Sequence, residues 1–194
     1  MVAVSFVAGF ALTYMFGYED EVTEGAASAK KPEEVATDEL LAEATTSLLP
    51  EETLVSPLSG EVVELANVND PVFSSGAMGK GLAIKPSEGV VYAPADAEVT
   101  IAFETGHAYG LKTASGAELL IHIGIDTVSM NGEGFEKLVA AGDKVKAGAP
   151  LAKFDSSKIA AAGLDDTTMV IVTNTADFEV VEGLAQGTVA HGAD

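Results

Sequence analysis

Short runs of β-branched and aliphatic residues dominate the sequence from Val55 onward, and each run is bounded by Gly, Pro, Asn or Asp. The runs are GEVVEL, GLAIKP, GVVYAP, AEVTIAF, LLIHIGI, PLAKF and MVIVTN. Such runs are typical of single strands, and the residues between them favour turns. Many strands at this spacing predict an all-β sandwich or barrel. The stretch GEGFEKLVAAG predicts one or two helical turns, with Phe135, Leu138 and Val139 on one face and Gly142 at the end.

A short internal repeat supports this fold class. SPLSGEVV (residues 56–63) and APADAEVT (residues 93–100) share the pattern small-Pro-x-x-small-Glu-Val. A repeat of this kind predicts two related half-motifs that pack together.

Three further segments flank the β-rich region, which we place at residues 54–180. Residues 1–18 carry no charge, and their length is close to the lower limit of about 17 residues for crossing a bilayer. The first basic residue is Lys30, which argues against a secretory signal. We predict a transmembrane-like helix there, with a buried helix of a soluble domain as the alternative. Residues 19–53, rich in Ala, Glu, Thr and Ser, predict a flexible linker. Residues 181–194 predict a flexible tail, in which His191 has no assigned role.

Charge and composition narrow the chemistry. The formal net charge is −20, from 30 acidic and 10 basic residues. Nucleic acid is therefore not an expected partner, because phosphate binding needs a basic face. Without cysteine the chain has no disulfide, no thiol nucleophile and no Cys-based zinc site. Its three histidines, His107, His122 and His191, are the main candidates for nucleophilic or metal chemistry.

His122 lies within the apolar run LLIHIGI, and strand alternation predicts the direction of its side chain. One face of the run is wholly apolar and should be core: Leu119, Ile121, Ile123 and Ile125. The other face holds Leu120, His122, Gly124 and Asp126. His122 is thus predicted on an outer or cleft face, where Gly124 leaves room and Asp126 supplies a carboxylate, and both are candidate binding residues.

His107 precedes a predicted hairpin turn at residues 114–116. A two-residue loop at Ala114 and Ser115 places His107 directly opposite His122. A loop at Ser115 and Gly116 makes the two histidines diagonal neighbours. Both registers place the two imidazoles on one face, with Cβ atoms about 5 to 7 Å apart.

Several kinds of chemistry are open to such a pair. It could be an incidental surface pair, or a zinc site with Asp126 as third ligand, although the usual ligand spacing is missing. A neutral imidazole could instead attack a phosphoryl group while the second donates a hydrogen bond to its oxygens. Thr105 precedes His107 by two residues on the same face and could add its hydroxyl. A serine hydrolase is disfavoured because no G-x-S-x-G occurs, and GAMGKG lacks the spacing of a P-loop.

The residues also resemble a known family. Residues 55–178, approximately, are similar to the glucose-type enzyme IIA domain of the bacterial sugar phosphotransferase system. The matching stretches are SPLSGEVVEL, DPVFSSGAMGKGLAIKPSEG, VYAPADAEV, TGHAYGL, GAELLIHIGIDTVSMNGEGF, GDKVKAGAPLAKFD and VIVTN. HIGIDTV and GEGF are the most specific of these. Two positions depart from the pattern, Ala97 where a turn glycine is usual and Gly106 at a variable position.

This resemblance implies a flattened antiparallel β-sandwich with a duplicated motif, without a cofactor or a metal. It implies that His122 accepts phosphate from the phosphocarrier protein HPr. It also implies that His107 supports the transfer without being phosphorylated, and that Thr105 hydrogen-bonds within the site. Partner proteins would dock on an apolar rim with acidic spots, which aligns with Asp70, Val72, Phe73, Met78, Leu120 and Val128.

The first segment carries a resemblance of its own. FVAGFALTYMFGYEDE is similar to the final transmembrane stretch of the IIC domain in β-glucoside-class permeases, whose B, C and A domains form one chain. The chain is then expected to be the A-domain end of such a permease, cytoplasmic and tethered to the inner face of the membrane.

The expected function follows from both resemblances. His122 would pass phosphate from HPr to a cysteine of a IIB domain during sugar uptake, with the IIC domain as a further partner. Two alternatives stay open. One is a phosphorylation-controlled binding protein that regulates transporters or metabolic enzymes, and the other is a zinc hydrolase on a related β fold.

Overall fold

The computed structural model describes residues 51–193. The predicted helix at residues 1–18 and the linker up to residue 50 lie outside the described residues. Within residues 51–193 the chain forms two short α-helices, α1 (Pro71–Ser74) and α2 (Ser156–Ala161), and eleven strands. The strands are β1 (Gly60–Glu64), β2 (Lys80–Pro86), β3 (Val90–Tyr92), β4 (Ala97–Ala102), β5 (Ala108–Thr113), β6 (Glu118–His122), β7 (Phe135–Lys137), β8 (Lys144–Val145), β9 (Pro150–Phe154), β10 (Thr168–Val172) and β11 (Thr188–Val189).

Two antiparallel sheets make up the fold. The larger sheet has eight strands in the order β11-β1-β2-β10-β6-β5-β4-β8, and the smaller has three in the order β3-β9-β7. The main core contains buried side chains from both sheets, such as Leu119 and Ile121 of β6 and Val91 of β3. The all-β prediction is confirmed, and each of the seven runs read from the sequence contains a strand.

The larger sheet displays the internal repeat. Its first four strands, β11-β1-β2-β10, mirror its last four, β8-β4-β5-β6, about the contact between β10 and β6. Gly60 of β1 pairs with Val189 of β11, and Ala97 of β4, at the same position of the repeat, pairs with Val145 of β8. The two related half-motifs predicted from residues 56–63 and 93–100 are therefore present.

The C-terminal segment completes this symmetry. Residues 187–193 (GTVAHGA) follow the same course as residues 143–149 (DKVKAGA), which contain β8. The two segments make matching backbone hydrogen bonds. Gly192 N–H donates to the Ser56 carbonyl (2.8 Å), as Gly148 N–H donates to the Ala93 carbonyl (2.8 Å). The Gly187 carbonyl accepts from Val62 N–H (2.8 Å), as the Asp143 carbonyl accepts from Val99 N–H (2.8 Å). The prediction of a flexible tail is therefore wrong for residues 187–193, because their backbone closes the sheet beside β1.

The outer face of the larger sheet is only partly covered. Side chains of the segment from Leu65 to Ser74, which includes α1, pack on the β2 and β10 part of this face and form a second apolar cluster. Its buried members are Leu65, Val68, Phe73, Ala83, Met169 and Ile171. The β6-β5-β4 part of the same face is left open as a pocket.

Two further points concern helices. The helical turn predicted at GEGFEKLVAAG is wrong: Gly134 has a left-handed φ of 86°, and the residues after it form β7, where Phe135 pairs with Phe154 of β9. Among residues 51–193, no helix has the length and apolar character needed to cross a membrane.

Candidate active site

The two imidazoles singled out from the sequence, His107 and His122, lie together and line the pocket. Their ring centroids are 5.0 Å apart and their planes are nearly perpendicular, at 77°. His122 is the last residue of β6, and His107 directly precedes β5. The rings meet as predicted, but through a different strand register.

The hairpin between β5 and β6 explains this difference. Its loop has three residues, 114–116, because Thr113 faces Ala117 and Gly116 takes a left-handed φ of 98°. Ala108, rather than His107, therefore lies opposite His122. Strict alternation would then turn His107 to the other face.

The backbone before β5 brings His107 back to the site. Gly106 has a left-handed φ of 70°, and a Cβ atom there would lie only 3.1 Å from the Phe135 side chain. The chain thus turns at Gly106, and strand alternation does not extend to His107. The His107 carbonyl accepts a hydrogen bond from Ile123 N–H at 2.7 Å, which joins the backbones on which the two imidazoles are mounted.

Hydrogen bonds define the protonation of His122. Its Nδ1 lies 2.8 Å from the Gly124 carbonyl oxygen. A carbonyl only accepts, so Nδ1 carries the proton and the neutral ring keeps its lone pair on Nε2. His107 Nδ1 lies 2.5 Å from the Thr105 hydroxyl, a group that can donate or accept.

The surroundings keep both imidazoles neutral. Burial lowers the pKa of His107 to about 4, with a smaller contribution from repulsion by His122. Burial also lowers the pKa of His122, against the opposing effects of the Gly124 hydrogen bond and the Asp70 and Asp126 carboxylates. At pH 7 both rings are therefore available as a nucleophile or a neutral hydrogen-bond partner.

Aromatic rings flank the pair on both sides. The Phe73 ring of α1 is tilted against His122 at a centroid distance of 5.1 Å, and Phe103 is tilted against His107 at 5.2 Å. Phe103 was not singled out from the sequence, although it ends the run AEVTIAF two residues before Thr105. Its side chain is 44% exposed despite its size.

The remaining predicted residues surround the pocket. Asp70 caps α1 by accepting hydrogen bonds from Val72 N–H (2.8 Å) and Phe73 N–H (3.2 Å). Val72 is 51% exposed, Met78 and the half-buried Leu120 line the pocket wall, and Val128 is 53% exposed beyond the strand end. Ile101, also missed, is 50% exposed on the β4 side of the pocket. Within the described part of the chain, no Lys or Arg lines this pocket, and its lining is mainly apolar.

Gly124 and Asp126 lie beyond the end of β6, so they do not extend its outer face as predicted. Both take left-handed backbone conformations, with φ values of 74° and 58°. They act on His122 from the loop instead, Gly124 through its carbonyl and Asp126 through its charge. Within residues 51–193, no group of three or more His, Cys, Asp or Glu side chains that could hold a metal ion is present.

Comparison with known proteins places this site in a family. Residues 52–178 match the model of the phosphoenolpyruvate-dependent sugar phosphotransferase system, EIIA 1. The β-glucoside-specific EIIBCA component of Dickeya chrysanthemi is 45% identical over 177 residues, which cover 91% of this chain and 27% of that protein. The glucose-specific EIIA component of Bacillus anthracis is 44% identical over 143 residues, 74% of this chain and 87% of that protein.

A solved structure agrees with these sequences. Glucose permease IIA from Mycoplasma capricolum superposes with a TM-score of 0.67 and 34% identity, over 73% of this chain and 91% of that one. The chain spans about a quarter of the length of the β-glucoside-specific relatives, 27% and 26% in the two compared. The resemblance read from HIGIDTV and GEGF is confirmed: the chain belongs to the EIIA 1 family of the phosphoenolpyruvate-dependent sugar phosphotransferase system, whose components transfer phosphoryl groups.

Proposed function

We propose that His122 Nε2 is the atom that carries the phosphoryl group. Its lone pair attacks the phosphorus of the phosphorylated donor, a nitrogen–phosphorus bond forms, and the electron pair of the broken bond returns to the donor. In the second step a thiolate of the acceptor attacks the same phosphorus, and the pair of the breaking bond returns to Nε2. The observation that carries this proposal is the hydrogen bond from His122 Nδ1–H to the Gly124 carbonyl, which leaves Nε2 unprotonated beside the open pocket.

His107 and Thr105 support the transfer in this proposal. When the Thr105 hydroxyl donates to His107 Nδ1, the single proton of the neutral His107 ring resides on Nε2. That N–H can then donate to a phosphoryl oxygen on His122, since the two rings are in edge contact. Because burial keeps His107 neutral, it contributes a hydrogen bond rather than a fixed charge.

The proposed partners are HPr as donor and a IIB-domain cysteine as acceptor. Exposed apolar side chains beside the histidines, including Val72, Phe103 and Val128, provide a docking surface. Asp70 and Asp126 give it a negative charge that favours partners with a basic face. Among residues 51–193 no Lys or Arg lines the pocket, so a basic side chain of the partner is proposed to balance the charge of the phosphoryl group.

The relatives named EIIBCA components suggest the wider context. We propose that the chain supplies the A part of a β-glucoside-class permease and works at the inner face of the cell membrane. In this proposal the linker predicted at residues 19–53 would serve as a tether, and a flexible segment of about 30 residues has an r.m.s. span near 30 Å. A tether of that span would raise the effective concentration of the A domain at a IIB acceptor.

A phosphorylation assay tests the function. The full chain is incubated with phosphoenolpyruvate, HPr and the enzyme that phosphorylates HPr, and its intact mass is measured. We expect one phosphate adduct, which is absent in His122→Ala and retained in the matched control His191→Ala. His107→Ala should accept phosphate but pass it slowly to a IIB domain. An adduct that persists in His122→Ala would refute the assignment.

A second function is favoured by the exposed apolar surface around His122. The same surface could bind and regulate transporters or metabolic enzymes, and a dianionic phosphate among these side chains would oppose an apolar partner by desolvation. Pull-downs with the phosphorylated and unphosphorylated chain test this proposal. Identical partner sets for the two forms would argue against regulation.

A further inference from the structure

The tautomer of His122 depends on the direction of one carbonyl group, that of Gly124. This carbonyl lies in the loop of residues 123–126, between the end of β6 and the 3₁₀ turn that begins at Thr127. Gly124 and Asp126 both have left-handed φ values, 74° and 58°. The strand pairing of β6 ends at His122, so other contacts must orient the Gly124 carbonyl.

Thr127 is the residue that contacts the loop from beneath. Its side chain is completely buried. The Thr127 hydroxyl donates to the Ile123 carbonyl at 2.5 Å, on one side of the Gly124 residue. The Thr127 methyl lies directly under Gly124, where a Cβ atom on that glycine would clash with it. The two branches of one side chain thus hold Ile123 and Gly124.

The opposite side of the loop is held by the segment before β10. Ile125 N–H donates to the Asp165 carbonyl at 2.8 Å. The Asp165 carboxylate in turn accepts from Thr167 N–H at 2.8 Å, which stabilises the turn that presents this carbonyl. Ile123 is therefore anchored by two hydrogen bonds, its N–H to the His107 carbonyl and its carbonyl to Thr127, and Ile125 is anchored by one. Gly124 lies between these anchors.

We propose that Thr127 is a positioning residue that aims the Gly124 carbonyl at His122 Nδ1 and thereby keeps the lone pair of His122 on Nε2. This proposal rests on the proposed function of His122. The hydroxyl is the essential branch. Without it the buried Ile123 carbonyl has no hydrogen-bond partner, and rotation of the loop toward another donor becomes favourable. The methyl only fills space below Gly124.

The two branches can be separated by substitution. Thr127→Val keeps the shape and removes the hydroxyl, Thr127→Ser keeps the hydroxyl and removes the methyl, and Thr127→Ala removes both. Thr113→Val is the matched control, because Thr113 is also a buried threonine with a hydrogen-bonded hydroxyl, at the far end of the same hairpin. Thr113→Val should lower the stability of the chain without changing the loop after β6, which Thr113 does not contact.

Nitrogen NMR of the full chain labelled with ¹⁵N-histidine reports the tautomer of each ring before any phosphorylation. The chain has three histidines, so their signals can be assigned by substitution. We expect His122 to be protonated on Nδ1 in the wild type, in Thr127→Ser and in Thr113→Val. In Thr127→Val and Thr127→Ala its two ¹⁵N shifts should move toward each other, as both tautomers become populated, while those of His191 stay unchanged.

The rate of phosphoryl acceptance gives a second readout. Loss of a hydrogen bond worth about 1.4 kcal/mol corresponds to an approximately tenfold slower reaction in Thr127→Val. Thr127→Ser should restore the rate and Thr113→Val should retain it. If Thr127→Val does not fold, Thr127→Ala makes the same prediction without the second methyl.

Two results would overturn the proposal. One is a folded Thr127→Val or Thr127→Ala chain in which His122 remains fully protonated on Nδ1. The other is a Thr127→Ser chain that loses this tautomer as much as Thr127→Val does, since the methyl would then be the essential branch. The NMR result does not depend on transfer, so a chain with the expected tautomers but no phosphate adduct would refute the proposed function alone.

Discussion

The two halves of the eight-stranded sheet share a backbone plan but differ on their outer faces. In the β11-β1-β2-β10 half, the segment from Leu65 to Ser74 covers this face with an apolar cluster. In the β6-β5-β4-β8 half the face is open and contains the histidine pair. The pair lies at the boundary between the halves, where Phe73 of the covering segment contacts His122.

Corresponding positions show how local the difference is. Gly60 and Ala97 are equivalent in the repeat, so their strand partners Pro86 and Thr113 are equivalent as well. Counting six residues back from each partner shows that Lys80 of the first half corresponds to His107 of the second. By the same correspondence, His122 opposite Ala108 matches Ile171 opposite Gly81. Even the turn glycines match, since Gly106 and Gly79 both have positive φ. The same duplicated backbone therefore holds the histidine pair in one half and a packed apolar cluster in the other.

Alanine substitutions at the equivalent positions His122 and Ile171 should have the largest and most different effects. His122→Ala should abolish the phosphate adduct with little change in stability, because the side chain is half-buried and ends a strand. Ile171→Ala should lower the free energy of unfolding by about 3 kcal/mol, as for other fully buried isoleucines, and still accept phosphate. Mass spectrometry and urea denaturation of both variants check this. Loss of the adduct in a folded Ile171→Ala chain would contradict the prediction that Ile171 serves only core packing.

The pH dependence of stability between pH 6.5 and 4 should also differ between the halves, because His107 lies in only one of them. The pKa of His107 is lowered to about 4 by burial, so between pH 6.5 and 4 the unfolded chain binds a proton that the folded chain does not. Stability should therefore fall as the pH drops through this range, by up to about 3 kcal/mol. His107→Gln should flatten this part of the profile, and Lys80→Gln at the matching position should leave it unchanged.

The difference between wild type and His107→Gln is the quantity to measure, by urea denaturation at several pH values. Carboxylates such as Asp165, whose pKa is lowered by its hydrogen bonds to Thr167, contribute equally to both chains. Parallel profiles for the two chains would show that His107 is protonated in the folded state as easily as in the unfolded one.

Most strands of the two sheets could be predicted from the sequence, because strand formation depends on local residue patterns. The runs rich in Val, Ile and Leu each contain a strand, whereas β5 (AYGLKT) has too few β-branched residues to be recognised alone. The hairpin register was wrong because a left-handed Gly116 allows a three-residue loop. β11 was missed for a different reason, since two residues in a Gly- and Ala-rich tail form a strand only when β1 offers its edge.

The site was predicted in part for similar reasons. His107 and His122 could be placed near each other because a hairpin limits the distance between its residues, but their shared face depends on the turn at Gly106 and not on the predicted register. The hydrogen bond from His122 to Gly124 could not be predicted, since it depends on two left-handed residues and on the buried Thr127. Exposure of Phe103 and Ile101 also depends on tertiary structure, because it requires that no segment covers this half of the sheet.

Removal of the C-terminal segment tests whether the two edges of the sheet are equivalent. Deletion of residues 187–194 removes β11 and its backbone hydrogen bonds to Ser56 and Val62. At about 1 kcal/mol for a net hydrogen bond, less the chain entropy regained, we expect a loss of about 2 kcal/mol in the free energy of unfolding. Phosphoryl acceptance should be retained, since the segment lies in the other half. Replacement of GTVAHGA by its counterpart DKVKAGA should restore most of the stability, and failure to do so would show that side chains rather than the shared backbone hold this edge.

The smallest effect is expected where the two edge segments differ in sequence, at His191 and its counterpart Ala147. Both backbone N–H groups donate to a side-chain oxygen at the same position of the repeat, His191 to Ser59 (3.1 Å) and Ala147 to Asp96 (3.0 Å). His191 adds a ring stacked on Tyr92 at 4.1 Å, and its Nδ1 lies 3.3 Å from a carboxylate oxygen of Glu88.

These added contacts are solvent-exposed, so His191→Ala should lower the free energy of unfolding by only about 0.5 kcal/mol at pH 7. The backbone bond to Ser59 does not need the imidazole and should persist. Urea denaturation at pH 7 and amide hydrogen exchange of residues 188–193 measure the two effects separately. A loss as large as that of the whole segment would mean that the ring, rather than the repeated backbone pattern, holds the C-terminal edge in place.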